Sequence, residues 1–115
     1  MKTGLWNDVK QEARNAMVEC AKRSEMITYT ELSRQITSAE IPPHDVRMNK
    51  LLGEISSEED AAGRGMLSVI VVHKQGDMRP GAGFFQLAKE LGRDTRDTDR
   101  CWIKELDKVQ TVWLG

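Results

Sequence analysis

Residues that could bind an anion or move a proton cluster in the second half of the chain. His73 and Arg79 bound a polar turn, and Gly81 and Gly83 follow it directly before an apolar helix pattern. Free N–H groups and the positive end of the helix dipole attract anions at a helix start. A GxG pair also marks a tight backbone bend, and His73 suits either a general base or a structural role. The sequence therefore leaves an anion site and a bend as alternatives.

A second set of polar side chains is typical of DNA contacts. Arg47, Asn49 and Lys50 lie near the start of a predicted helix, whereas Lys74 and Arg79 belong to the polar turn. Arginine and lysine suit phosphate oxygens, and asparagine suits the edge of adenine. The acidic residues that dilute this positive charge are Asp45, Glu54 and Asp77.

Catalytic and metal-site motifs are absent from the sequence. It contains no P-loop, no GxSxG, no HExxH and no paired cysteines at metal-ligand spacing. Cys20 and Cys101 lie far apart and are expected to be small buried residues; the sequence does not decide whether Cys101 is reactive. We therefore expect neither a metal nor a cofactor, and the sequence favours a non-enzymatic protein.

Composition indicates one globular domain spanning residues 1–115. Hydrophobic residues make up 39% and charged residues 30% of the chain, and the net charge is −1. A near-neutral chain has no global field for nucleic acid, so any such binding must come from a local patch. No apolar run approaches a membrane span, and the first residues lack a signal-peptide core, which predicts a cytoplasmic protein without a membrane partner.

Hydrophobic periodicity predicts the elements that position these residues. Helices are expected over 5–23, 28–37, 46–58 and 84–91, with a last helix that begins near Asp97, Thr98 or Asp99 and buries Trp102, Leu106, Val109 and Trp113, with Ile103 alongside. Thr28 and Glu31 have the spacing of a capping box, and Asp45 is a suitable cap for the third helix. Residues 56–65 are expected to form an acidic, flexible loop.

An unbroken apolar run, Val69 to Val72, predicts a buried central strand over residues 66–73. We expect this strand to pair with residues 79–85 as a hairpin. A short capped helix, a proline-containing linker, a second helix and a hairpin follow one another in the order of a winged helix-turn-helix. In that arrangement the second helix would enter the major groove, and the turn at 73–79 would be the wing.

A family resemblance enters at these residues. The segment Met26-Ile27-Thr28-Tyr29-Thr30-Glu31-Leu32 resembles the opening of the winged-helix domain in DNA alkyltransferase-like proteins. The segment from Val71 to Gly76 is similar to the strand and turn after their active-site strand, and Gly81 to Phe84 occupies their glycine-rich return. Their Pro-Cys-His-Arg motif is replaced by Leu67-Ser68-Val69-Ile70, so alkyl transfer is not implied. The TYxEL, GMLS and PGxGFF segments together also resemble a small bacterial domain family without an established activity.

These observations predict an α+β, mostly helical domain with a winged-helix-like centre, a short β-hairpin and additional N- and C-terminal helices. The leading functional hypothesis is a binding module for duplex DNA or for regulation, with contacts from Arg47, Asn49, Lys50, Lys74 and Arg79. One alternative is a small ligand-binding protein or enzyme that uses His73, Arg79, Gly81 and Gly83. A protein-interaction module is the third possibility, and the oligomeric state stays open.

Overall fold

The computed structural model describes residues 3–74 and 79–114, which form an α+β, mostly helical fold, as expected. Within these ranges there are five α-helices, one 3₁₀ turn and a sheet of two short strands. In chain order the elements are α1 (Thr3–Lys22), β1 (Ile27–Thr28), α2 (Tyr29–Gln35), α3 (Val46–Ala61), the 3₁₀ turn (Leu67–Ile70), β2 (Val71–Val72), α4 (Ala82–Glu90) and α5 (Thr98–Trp113).

Helix α2 begins with the predicted capping box. The Glu31 N–H donates to Thr28 Oγ1, and the Thr28 N–H donates to Glu31 Oε1, both at 3.1 Å. Each bond gives an acceptor to a backbone N–H at the helix start, where the helix itself supplies no carbonyl partner. The box therefore sets the point at which the chain leaves β1 and enters α2.

The predicted hairpin is wrong: β2 pairs in parallel with β1, with Ile27 opposite Val71 and Thr28 opposite Val72. The first half of the apolar run coils into the 3₁₀ turn, where the Ser68 N–H donates to the side chain of Ser56. An apolar run indicates burial, which is complete here, but it does not specify backbone conformation or strand partner.

Only one backbone hydrogen bond of the expected hairpin is present in the described part of the chain. The His73 N–H donates to the Arg79 carbonyl at 2.9 Å. Residues 75–78, the tip of the predicted wing, lie outside the described residues. The residues expected to form the return strand, 79–85, instead lead into α4.

The core surrounds the 3₁₀ turn. Helices α1, α3 and α5 all contact this turn, and its residues are fully or almost fully buried. Val9 and Met17 of α1 belong to the same buried core as Leu51 and Ile55 of α3. The apolar segment is therefore central to the fold, as predicted, although only part of it is a strand.

Helix α5 packs through a different set of residues than its apolar pattern predicts. Asp97 caps it, and Val109 is fully buried, but Ile103 is exposed. Besides Val109, the residues of α5 that are buried are Cys101 and Glu105, neither of which belongs to the predicted apolar set. The residues that are only partly buried are Trp102, Leu106 and Trp113.

Residues 56–61 belong to the last turns of α3, whereas the sequence predicts an acidic, flexible loop over residues 56–65. Glu59 is 2% exposed and lies between Arg14 of α1, at 2.7 Å, and Arg64. Burial raises the pKa of Glu59, but the hydrogen bonds from Arg64 and Arg14 outweigh it and hold that pKa below its ordinary value of 4.5. The carboxylate therefore joins α1, α3 and the turn after α3 as an ionised group.

Thr28→Ala should destabilise the protein by about 1 kcal/mol, because the Glu31 N–H loses its acceptor. Urea unfolding of the variant beside the wild type measures this difference. Thr30→Ala, a neighbouring exposed threonine, is the matched control and should change stability by less than about 0.5 kcal/mol. Equal effects of the two substitutions would contradict a capping contribution from Thr28.

Glu59→Gln should cost about 1–3 kcal/mol at neutral pH, since the hydrogen bonds to two guanidinium groups lose their charge. A carboxyl group whose pKa is lower in the folded than in the unfolded protein stabilises the fold when the pH is above its unfolded pKa. This stabilisation is lost as the pH falls through its folded pKa. The stability gap between wild type and variant should thus narrow below about pH 4.5. Glu58→Gln, at an exposed carboxylate paired with Lys10, is the control. A pH-independent gap would contradict this account.

Candidate nucleic-acid interface

The first two turns of α3 present an uncovered face to solvent. Asp45 caps the helix by accepting from the Arg47 N–H at 2.8 Å. Val46 is 81% exposed, Asn49 and Lys50 are exposed, and a Cβ built on Gly53 would meet no atom within 4 Å. We call these four residues, Val46, Asn49, Lys50 and Gly53, the α3 face. Their three- and four-residue spacing places them on one side of the helix.

Arg47 is directed toward the linker before α3 and is outside the α3 face. Its guanidinium donates to both carboxylate oxygens of Asp45, at 3.0 and 2.7 Å, and to the Glu40 carbonyl at 3.1 Å. Hydrogen bonds from Arg47 lower the pKa of Asp45 to about 2. The side chain expected to contact DNA therefore braces the helix start and the preceding loop.

Lys50 lies at the boundary between α3 and α1. Its Nζ is 5.3 Å from the centroid of the Trp6 ring, a cation–π geometry that leaves the ammonium exposed. The Trp6 indole N–H donates to Glu54 Oε1 at 3.0 Å. Trp6 thus holds the α1 edge beside the α3 face, a role that the apolar pattern of α1 does not reveal.

The two cations expected in the wing have different surroundings. Lys74 is exposed immediately after β2 and lies close enough to Glu31 to add to the lowering of its pKa, which is caused mainly by hydrogen bonds from Thr28. Arg79 is partly buried. It forms an ion pair with Asp99, and its Nη2 donates to Thr98 Oγ1 at 3.1 Å.

Aromatic rings also hold Arg79 against the helices. Its guanidinium carbon lies 5.6 Å from the Trp102 ring centroid and 5.8 Å from that of Phe85. Arg79, which the sequence assigns to the polar turn, is therefore packed against the helices through its guanidinium. Its contacts join the segment before α4 to the start of α5, so it has a structural role whether or not it also contacts a ligand.

The Gly81 segment is extended and passes close to two side-chain rings. The Gly81 N–H donates to Tyr29 Oη at 3.2 Å, and the rings of Tyr29 and His73 stack with centroids 4.6 Å apart. A Cβ on Gly81 would lie 3.0 Å from His73 Nε2 and 3.1 Å from Tyr29 Oη. A side chain here would press on both rings, so close approach favours glycine. The backbone does not demand it, since a φ of −74° suits any residue. Burial raises the pKa of Tyr29, a residue that the sequence analysis did not single out for this site.

The start of α4 lies next to the α3 face. Among the described residues, no side chain caps α4 at Gly81, and residues 82 and 83 are exposed. The Asn49 amide oxygen lies 3.7 Å from the position of a Cβ on Gly83. His73, Gly81, Gly83 and Asn49 are therefore neighbours, while Arg79 extends from the same segment toward α5.

The described residues show neither a metal site nor a membrane span. In the ranges 3–74 and 79–114, no three histidine, cysteine, aspartate or glutamate residues are grouped so that they could hold a metal ion. No helix in the same ranges is both long and apolar enough to cross a bilayer. Comparison of the chain with protein-family models, curated proteins and solved structures finds no match.

Gly81→Ala should destabilise the protein by about 1 kcal/mol, because the new Cβ forces the rings of His73 or Tyr29 to shift. Gly83→Ala is the matched control: it meets nothing closer than 3.7 Å and should be neutral or stabilise by up to about 1 kcal/mol. Urea unfolding measures both. Adding His73→Ala to Gly81→Ala should recover part of the loss, and absence of that coupling would contradict the steric account.

Proposed function

We propose that this chain is a non-enzymatic module that binds duplex DNA through the α3 face, the start of α4 and Lys74. The observation that carries the proposal is the exposure of the first two turns of α3 beside an uncapped helix start. Duplex DNA fits this combination, because its major groove can hold a helix and its backbone phosphates lie beside that groove.

Shape supports this proposal. The major groove is about 12 Å wide and admits an α-helix, provided that the helix protrudes from its domain. Val46 is exposed at the first turn, and Gly53 adds no side chain at the end of the second. Asn49 and Lys50, between them, are the types of residue that contact base edges and phosphates.

Local charge supports weak rather than strong binding. Lys50 and Lys74 supply two exposed ammonium groups, and the N–H groups at the start of α4 can receive a phosphate. Arg47 and Arg79 already have carboxylate partners in Asp45 and Asp99, so each would have to share or lose its pair to contact DNA. The protein therefore depends on about two or three phosphate contacts and has low affinity.

In this proposal the order of elements is that of a winged helix. The pair α2 and α3 corresponds to the helix-turn-helix, and the segment between β2 and α4 corresponds to the wing. The parallel pairing of β1 with β2 fixes where this segment leaves the core, next to α2. Lys74, at the beginning of the segment, would then lie against the DNA backbone.

Fluorescence anisotropy with a labelled duplex at several salt concentrations tests the proposal. Two to three phosphate contacts predict a log–log slope of about −2 to −3. Lys50→Gln combined with Lys74→Gln should reduce the magnitude of this slope by about two units, because each lysine neutralises one phosphate. Circular dichroism checks that the double variant remains folded.

A double variant of equal charge is the control. Lys89→Gln with Lys104→Gln removes two exposed lysines of α4 and α5 that are not part of the proposed interface, and should leave the slope unchanged. Equal slopes for the two double variants would mean that binding follows overall charge and not this interface. No binding at low salt would overturn the DNA proposal.

A small-anion site at the start of α4 is the second candidate function. It is favoured by the uncapped Gly81 and by the proximity of His73. Inorganic phosphate distinguishes it from the DNA proposal: amide shifts of residues 82 and 83 on phosphate addition, with no effect of duplex, would favour the anion site.

A further inference from the structure

A groove with an apolar floor and an acidic rim lies along α1, on a different flank from the residues of α1 that pair with α3. Its volume is about 530 Å³, and it is bounded by the second half of α1, by β1 and by α2. Ala16, Cys20 and Met26 are partly buried and form the floor together with Ile27. We call this cavity the acidic groove. Its size suits a few side chains of a partner.

The charge at the rim is strongly one-sided. Its carboxylates belong to Glu12, Glu19, Glu25 and Glu31, and Arg23 is the only cation among the described residues that line the groove. Hydrogen bonds from Thr37 and Ser38 lower the pKa of Glu12, and those from Thr28 lower the pKa of Glu31, so both are ionised at neutral pH.

The other two rim carboxylates are available for a partner. Glu19 is 3.7 Å from Lys22 and Glu25 is 3.3 Å from Arg23, and all four side chains are more than half exposed. Exposed pairs of this kind contribute little and exchange readily with other cations. A cationic group of a partner can therefore take their place.

The groove lies on a different flank of α1 from the residues that pair with α3, although Lys74 of the proposed DNA interface lies near Glu31 at its rim. The basic residues Lys10 and Arg14 of α1 extend toward α3, where they pair with Glu54, Glu58 and Glu59. On the opposite flank of α1, Glu12 and Glu19 have no basic partner on a second helix within residues 3–74 and 79–114. A DNA backbone is repelled by this flank, whereas a basic chain is attracted to it.

We propose that the acidic groove binds a basic, amphipathic segment of a partner protein. An apolar side chain of the segment covers Ala16, Cys20 and Met26, and flanking arginine or lysine side chains pair with Glu19 and Glu25. An apolar floor gives no advantage to a small hydrated cation, but it contributes to the binding of a side chain that it buries. Charge complementarity at the rim selects a basic partner over an acidic one.

Thiol footprinting reports directly on the floor of the groove. The probe is an acetylated six-residue peptide of alternating leucine and arginine, and the readout is the alkylation rate of Cys20 by iodoacetamide, followed by peptide mapping. The reaction is run at alkaline pH because burial raises the pKa of the Cys20 thiol. Saturating peptide should slow alkylation of Cys20 about tenfold, as expected for a shielded thiol. Cys101, which is 5% exposed, is the internal reference for unfolding.

Rim variants test the charge contribution. Glu19→Gln with Glu25→Gln should weaken binding of the labelled peptide about tenfold, since two exposed ion pairs are lost. Glu40→Gln with Glu90→Gln removes the same charge from exposed positions outside the groove and should have little effect. Unchanged alkylation of Cys20, equal effects of the two double variants, or equal binding of an alternating leucine–glutamate peptide would each overturn the proposal. These results do not depend on whether the α3 face binds DNA.

Discussion

The arrangement of the chain depends on one buried carboxylate, that of Glu105. It is 4% exposed, accepts from the Met66 N–H at 2.8 Å, and pairs with Arg93 at 3.1 Å. Arg93 also pairs with Asp60 at the end of α3, and both carboxylates raise the pKa of its guanidinium. A buried charge is tolerated only when it is paired and hydrogen-bonded. Glu105 therefore positions α5, the end of α3 and the entry to the 3₁₀ turn relative to one another.

This network also explains the chain path before the apolar segment. Gly65 has a φ of +87°, and a Cβ there would lie 3.0 Å from Glu105 Oε2. Glycine satisfies both requirements at this position: left-handed backbone and room for the carboxylate. Since β2 follows the 3₁₀ turn directly, the position of β2 and the exit of the His73 segment toward α4 depend on the same contact.

Local sequence signals were sufficient for the helix starts but not for the contacts between distant elements. Thr28 and Glu31 are three residues apart, so their mutual bonds follow from chain geometry alone. The pairing of β1 with β2, by contrast, joins segments that the sequence does not mark as partners. The burial of Glu105 is equally hard to predict, because it depends on Arg93 and the Met66 N–H, which come close to it only in the folded chain.

The candidate site shows the same division between local and distant information. The sequence indicated that the second helix of the pair would carry exposed polar residues, and Asn49 and Lys50 are exposed. It did not indicate that Arg47 and Arg79 would be held by Asp45 and Asp99, or that Tyr29 would accept the Gly81 N–H. A basic residue can therefore be assigned to a DNA interface only once its carboxylate neighbours in the fold are known.

The parallel pair formed by β1 and β2 has a consequence for the order of folding. Its two strands are only two residues long, yet pairing them closes a chain segment of about 40 residues, which costs loop entropy before the contact can repay it. The turns of each helix form from contacts close in sequence, whereas this pairing joins distant segments, so we expect it to form late in folding. Substitutions within the strand pair should then act mainly on the unfolding rate.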